Sequence, residues 1–185
     1  MSIPAETTPG PVPTPENASE PVPVSAVEQR LAELGLALPK LAAPVAAYVP
    51  AVISGNHVYT SGQLPFINGK LEATGKVSTG AEGASDEPTV SPEEAKYYAA
   101  VCAINALAAL KSAIGDLDRI TRIVKVVGFV SSDPSFTGQP GVINGASELL
   151  GTVFGEAGRH ARSAVGVSVL PLDSPVEVEL IAEFS

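Results

Sequence analysis

The 185-residue chain is poor in several of the residues that chemistry commonly needs. It holds one cysteine, Cys102, which excludes an intrachain disulfide framework. That cysteine lies in an apolar helical stretch and reads as a small buried hydrophobe rather than a nucleophile. The two histidines, His57 and His160, fall in different segments. With no cysteine pair beside them, a metal site is not expected. Only 11 residues are Lys or Arg against 20 Asp or Glu, for a net charge of -9. Phosphate backbones are bound by clustered cations, so nucleic acid is not an expected partner. No apolar run reaches the roughly 18 residues that span a bilayer. The longest, Tyr97 to Leu110, is interrupted by Asn105. No membrane partner is expected, and the cysteine usage suggests a cytoplasmic protein.

Standard motifs are missing too. There is no P-loop, no Gly-x-Gly-x-x-Gly opening a helix, no Cys-x-x-Cys and no His-Glu-x-x-His. No Gly-x-Ser-x-Gly elbow supports a Ser-His-Asp triad.

Residues 1–24 carry a large share of the 17 prolines and few large apolar side chains. Such a segment cannot bury enough surface to offset its ordering entropy and is expected to be disordered. It lacks the basic start and apolar core of a signal peptide, so the acceptor triplet Asn17-Ala18-Ser19 is discounted. Residues 25–185 form one domain, large enough to bury roughly 68–70% of its unfolded surface. A mean hydropathy of +0.24 is high for a chain with an acidic tail and hints at buried subunit interfaces.

Element by element, a short helix is expected over Ala26 to Leu34, stopped by Gly35. A Pro-rich connection around Pro39 and Pro44 follows. Strands are expected at Tyr48 to Ile53 and His57 to Gly62, joined through Ser54-Gly55-Asn56. A second turn falls at Asn68-Gly69, and residues 73–90 read as a long loop. Ser91, Pro92 and Glu94 make a capping box for a helix to about Ile114, ended by Gly115. Strand Ile120 to Val130, helix Val142 to Phe154, and strands Arg162 to Leu170 and Val176 to Phe184 complete the chain. The fold class is α+β, a single sheet with two long helices on one face. Its other face needs a partner, which argues for an oligomer.

The C-terminal strands are the most informative. By alternation, Ser163, Val165, Val167 and Val169 would face the helices. Arg162, Ala164, Gly166 and Ser168 would make the other face, a cation beside small residues. Glycine within a strand often marks close approach of a ligand or another backbone. An arginine beside a void suits a small carboxylate, which its guanidinium can hold with two parallel hydrogen bonds. Arg162 pairing with an acid at a strand end is the alternative. The glutamates of Val176 to Phe184 are either merely exposed or aimed into the same pocket to orient water.

Three segments carry a family resemblance: YTSGQLP at Tyr59 to Pro65, the helix with Asn105, and ARSAVGVSVLPLDSPVEVELIAEF at Ala161 to Phe184. Together the stretch from Tyr48 to Phe184 resembles the Rid (YjgF) family of enamine/imine deaminases. The resemblance implies a chorismate-mutase-like mixed sheet and a homotrimer with sites in the clefts between subunits. It implies Arg162 as the substrate-binding arginine and Glu177 as the glutamate that positions water. Tyr48, Ser61 and Asn144 would line the cleft, Asn144 with a one-residue shift, and the backbone of Ala164 would hold the substrate nitrogen. The implied reaction is hydrolysis of 2-enamine or 2-imine carboxylates to 2-keto acids and ammonia, with no cofactor. Better-known members have Cys at position 164 and Glu at 166. Pro50 replaces a polar residue, and the 81–90 loop and N-terminal helix are additions. Losing two side chains would enlarge the cleft and remove a negative charge. A non-catalytic trimeric binding module is the alternative. Ribonuclease activity, from older naming, sits poorly with an acidic chain lacking a His or Lys cluster.

Overall fold

A computed structural model describes residues 25–40, 48–80 and 89–185. The expected disordered tail at 1–24, the connection around Pro44 and residues 81–88 of the long loop lie outside the described residues.

Helix α1 (Ala26–Glu33) buries Val27 and Leu31. Its N-terminus is closed by Ser25 and by Asp118, which accepts hydrogen bonds from Ser25 Oγ and from the backbone of Ala26 and Val27. Those amides have no partner within the helix. Arg30 donates to the Val153 carbonyl, tying α1 to the end of a later helix.

Strands β1 (Ala51–Ser54) and β2 (His57–Thr60) form the expected hairpin, with Ser54 opposite His57. β1 starts three residues later than expected, because Pro50 has no N–H for the ladder. A two-residue turn at Asn68-Gly69 joins β3 (Phe66–Ile67) to β4 (Lys70–Leu71). Both turn residues have positive φ, the geometry that matches strand twist. The 73–90 stretch is not wholly loop. β5 (Lys76–Val77) pairs in parallel with β6 (Thr89–Val90). Val77 and Val90 are both buried, which holds the two ends of the excursion together.

Helix α2 (Pro92–Ile114) has the full capping box at Ser91 and Glu94 and ends at Gly115, whose φ is 86°. By length and composition α2 could cross a membrane, but 67% of its most apolar stretch is buried within the fold. Strand β7 (Ile120–Ser131) and helix α3 (Gln139–Phe154) follow. α3 begins three residues before the expected Val142, since Pro140 fits a first turn that needs no amide donor.

The last strands are β8 (Ala161–Val167) and β9 (Val176–Phe184). They do not pair with each other. The five-stranded sheet runs β1-β2-β9-β7-β8, with β8 parallel to β7 and β9 antiparallel to it. A parallel neighbour needs a crossover, and α3 is that crossover. β8 therefore ends at Val167. The chain then passes Leu172 and Asp173, both at positive φ, before entering β9 on the far side of β7.

This order reverses the expected faces of β8. Val126 stands beside Arg162, Gly128 beside Ala164 and Val130 beside Gly166. Val126 and Val130 are fully buried, and a Cβ on Gly128 would meet Ile143 of α3. Arg162, Ala164 and Gly166 thus face α3, while Val165 is 45% exposed on the open side. The sequence misled because Val165 and Val167 look like core.

The helices approach most closely at Gly145, where an added Cβ would sit 1.9 Å from the Lys96 carbonyl oxygen. Backbone cannot yield there as a side-chain tip can. We expect Gly145→Ala to lose about 1–3 kcal/mol by overpacking. Gly141→Ala in the same helix, where a Cβ would meet nothing within 4 Å, should gain about 0.5–1 kcal/mol. Urea unfolding of the two variants checks the contrast.

Candidate functional site

The residues expected in the site fall into two groups. The first lies between α3 and β8. Arg162 Nη1 donates to Asn144 Oδ1 at 2.8 Å and to Ser147 Oγ at 3.2 Å. Asn144 and Ser147 are three apart on α3 and so share a face. Ser147 Oγ lies 3.0 Å from His160 Nε2, and His160 Nδ1 lies 2.6 Å from the Gly158 carbonyl oxygen. Among the described residues no carboxylate pairs with Arg162, and its Nε and Nη2 have no partner. The alternative in which Arg162 neutralises an acid of its own strand end does not describe this geometry.

Ala164 packs against the core two residues along. At Gly166 the expected gain in space is not found. Gln139 Nε2 lies 2.8 Å from where a Cβ would stand, so the Gln139 carboxamide occupies it. Gln139 is held there by the Phe136 carbonyl and Ser132 Oγ. β8 is the outer strand of the sheet, so backbone groups on its far edge have no ladder partner in the single chain.

The second group lies where β2 ends and β9 begins. Ser61 donates its hydroxyl to the Val49 carbonyl at 2.7 Å and its amide to the Pro50 carbonyl at 2.9 Å. These bonds fix the segment that follows Tyr48, a residue 60% exposed. Glu177 is half-buried and its carboxylate has no hydrogen-bond partner among the described residues. A Cβ at Gly62 would lie 1.6 Å from Glu177 Oε1, so any other residue there would require the Glu177 tip to move. Burial, and then the neighbouring charge of Glu179, push the Glu177 carboxyl above its ordinary range.

One chain does not bring the two groups together. Arg162 is in register with Val126, and Glu177 with Phe129. Three residues apart on β7, those positions face opposite sides of the sheet.

Other features of the sequence have structural roles. Asn105 Nδ2 donates to the carbonyls of Leu64 and Phe66, anchoring the segment after β2 on α2. Cys102 is fully buried against the Val176 carbonyl, and burial pushes its thiol well up, with Glu177 adding to the effect. Among the described residues no three His, Cys, Asp or Glu side chains could hold a common metal ion. Ser147, His160 and Gln139 were missed from sequence. The spacing of Asn144 and Ser147 and the shared parity of His160 and Arg162 were the available signals.

The family model described as "YjgF/chorismate mutase-like, putative endoribonuclease" matches residues 28–184. Protein TCP17 of Trypanosoma cruzi is 44% identical over 160 residues, which cover 86% of this chain and 94% of that one. The crystal structure of Atu1372 from Agrobacterium tumefaciens is similar with a TM-score of 0.75 and 46% identity, over 86% of this chain and 94% of that one. A more distant likeness is E. coli TdcF with bound serine, at a TM-score of 0.50 and 25% identity, over 77% and 91% of the two chains.

An acid whose carboxyl titrates high is penalised in its charged form by folding, so its cost grows as pH rises through the raised value. Glu177→Gln is expected to melt above wild type at neutral pH. The gap should close once pH falls below the ordinary carboxylate range. Thermal unfolding across that range reads it; a constant gap would contradict the burial assignment.

Proposed function

This chain belongs to the YjgF/chorismate mutase-like family, and on that premise we propose that it is a hydrolytic deaminase of 2-imine and 2-enamine carboxylates. The observation that carries the reading is Arg162: a half-buried cation with two neutral acceptors and, among the described residues, no carboxylate partner and no partner on its Nε–Nη2 edge. A guanidinium fork in that state is complementary to a small carboxylate.

The reaction needs few groups. Arg162 holds the substrate carboxylate, and backbone of β8 near Ala164 holds its nitrogen. An enamine first takes a proton at carbon to become the imine. Water oxygen then bonds to the imine carbon, and the C–N π pair moves to nitrogen, which is protonated. The resulting carbinolamine passes its hydroxyl proton to nitrogen and re-forms a carbonyl as its C–N bond breaks, releasing ammonia and a 2-keto acid. Glu177 takes the proton from the attacking water and returns it to nitrogen. Its carboxyl, raised by burial and then by the charge of Glu179, makes a stronger base than an ordinary carboxylate. The imine carbon is already electrophilic, so no cofactor enters the scheme. Positioning and fixed dipoles supply the acceleration.

Arg162 and Glu177 can meet only across two copies. The open face of the sheet carries Val52, Tyr59 and Val165, all substantially exposed in the single chain. A homotrimer that buries this face against its neighbours would set β8 of one subunit beside the β2–β9 end of the next. The lone buried thiol suits a reducing compartment, and a cytoplasmic location belongs to the same proposal.

A coupled assay tests the function. An amino-acid oxidase generates 2-imino acids while a chemical trap competes for them. We expect wild type to hasten imine loss and Arg162→Ala to lower kcat/KM at least about tenfold, the equivalent of about 1.4 kcal/mol or more. Full activity in Arg162→Ala would overturn the assignment.

A second reading, a binding module without turnover, is favoured by the serine bound to the distant relative TdcF. Titration with 2-keto acids separates the two. Affinity with no ammonia release from any imine would select the module.

A further inference from the structure

We propose that Ser147 and His160 are positioning residues that set the working orientation of Arg162 and thereby its affinity for carboxylates. The inference rests on the reading of Arg162 as a carboxylate clamp and adds the device that aims it.

The direction of the hydrogen bonds follows from which atoms can donate. The Gly158 carbonyl can only accept, so His160 Nδ1, 2.6 Å away, carries the proton. In the neutral ring Nε2 is then an acceptor. Its neighbour at 3.0 Å is Ser147 Oγ, which has a single hydrogen and gives it to Nε2. The Ser147 oxygen is left with lone pairs, and Arg162 Nη1 donates to one of them at 3.2 Å. The second acceptor for Nη1 is Asn144 Oδ1 at 2.8 Å. Two acceptors match the two hydrogens of Nη1, and the guanidinium plane is fixed. The edge formed by Nε and Nη2 stays free, and it is one of the forks that grip a carboxylate with two parallel bonds.

The chain therefore runs from the Gly158 carbonyl through His160 and Ser147 to Arg162, every donor pointing one way. His160 and Arg162 have the same parity, and Ser147 lies on α3 opposite both. Remove the hydroxyl and Nη1 loses one of its two acceptors. Remove the imidazole and the Ser147 hydrogen loses its acceptor and can turn toward Arg162. A mispointed guanidinium still binds anions, though more weakly and without fixed geometry.

Two measurements test this on the full-length protein. Long-range proton–nitrogen NMR should show His160 as the neutral Nδ1–H tautomer, and Ser147→Ala should shift its Nε2 resonance. An Nε2–H tautomer would overturn the proposal whether or not any ligand binds. Calorimetric titration with pyruvate, the smallest 2-keto acid, should show Ser147→Ala and His160→Leu binding about fivefold to tenfold more weakly than wild type, the scale of one ordinary hydrogen bond. His160→Gln, whose amide can accept near the Nε2 position, and Ser147→Thr should stay within about twofold of wild type. In the imine assay the loss should enter KM and leave kcat unchanged. Wild-type affinity in Ser147→Ala and His160→Leu, with Arg162→Ala binding poorly, would sink the positioning role alone. Equal binding by Arg162→Ala and wild type would instead remove the clamp on which it rests. If either deletion variant fails to fold, the tautomer in wild type and the rescue by His160→Gln still decide.

Discussion

β7 takes a parallel neighbour on one side and an antiparallel neighbour on the other, and its register with each is continuous through the middle of the sheet. That register puts Arg162 level with Val126 under α3, and Glu177 level with Phe129 on the opposite face. Alternation along a strand leaves no freedom in the matter. A slip of one residue would exchange both faces at once and expose Val126, Val130, Val178 and Leu180 to water. Burial of those side chains therefore holds the site residues in place as firmly as any hydrogen bond to them.

A half-buried arginine is costly unless its donors are met. Here α3 meets part of the need with neutral oxygens from Asn144 and Ser147, and among the described residues no carboxylate compensates the charge. Glu177 is in the converse state, a partly desolvated carboxylate with a second glutamate nearby. Each group is the sort of residue another charge would stabilise. The fold keeps them on opposite faces of the sheet in one chain. Gly62 and the occupied space at Gly166 show how closely each half is shaped. The first leaves room for a carboxylate, and the second is filled by the Gln139 carboxamide.

Much of the fold was legible in the sequence because local chemistry specified it. The Ser91–Glu94 capping box, the Asn68-Gly69 turn and the Gly115 stop each sit where their residue types demand. The faces of β8 were not legible. Val165 and Val167 look like core, and only the crossover through α3 and the parallel pairing with β7 reveal that they point to the open side. β8 and β9 follow each other in sequence yet lie on opposite sides of β7. Arg162 stood out by its small neighbours. Ser147 and His160 did not, since an α3 serine and a lone histidine before a strand are ordinary until the guanidinium is seen between them.

A site split between two copies can be rebuilt from chains that each lack one half. Arg162→Ala and Glu177→Gln, each expected to lose most of its activity alone, can be unfolded together, refolded as a mixture and assayed for imine hydrolysis. If a site takes its arginine from one subunit and its glutamate from the next, random mixing in equal amounts rebuilds about one quarter of the sites in any closed ring. Recovery of about one quarter of wild-type activity is the expected result. A mixture as inactive as its components, with assembly intact, would contradict the split site.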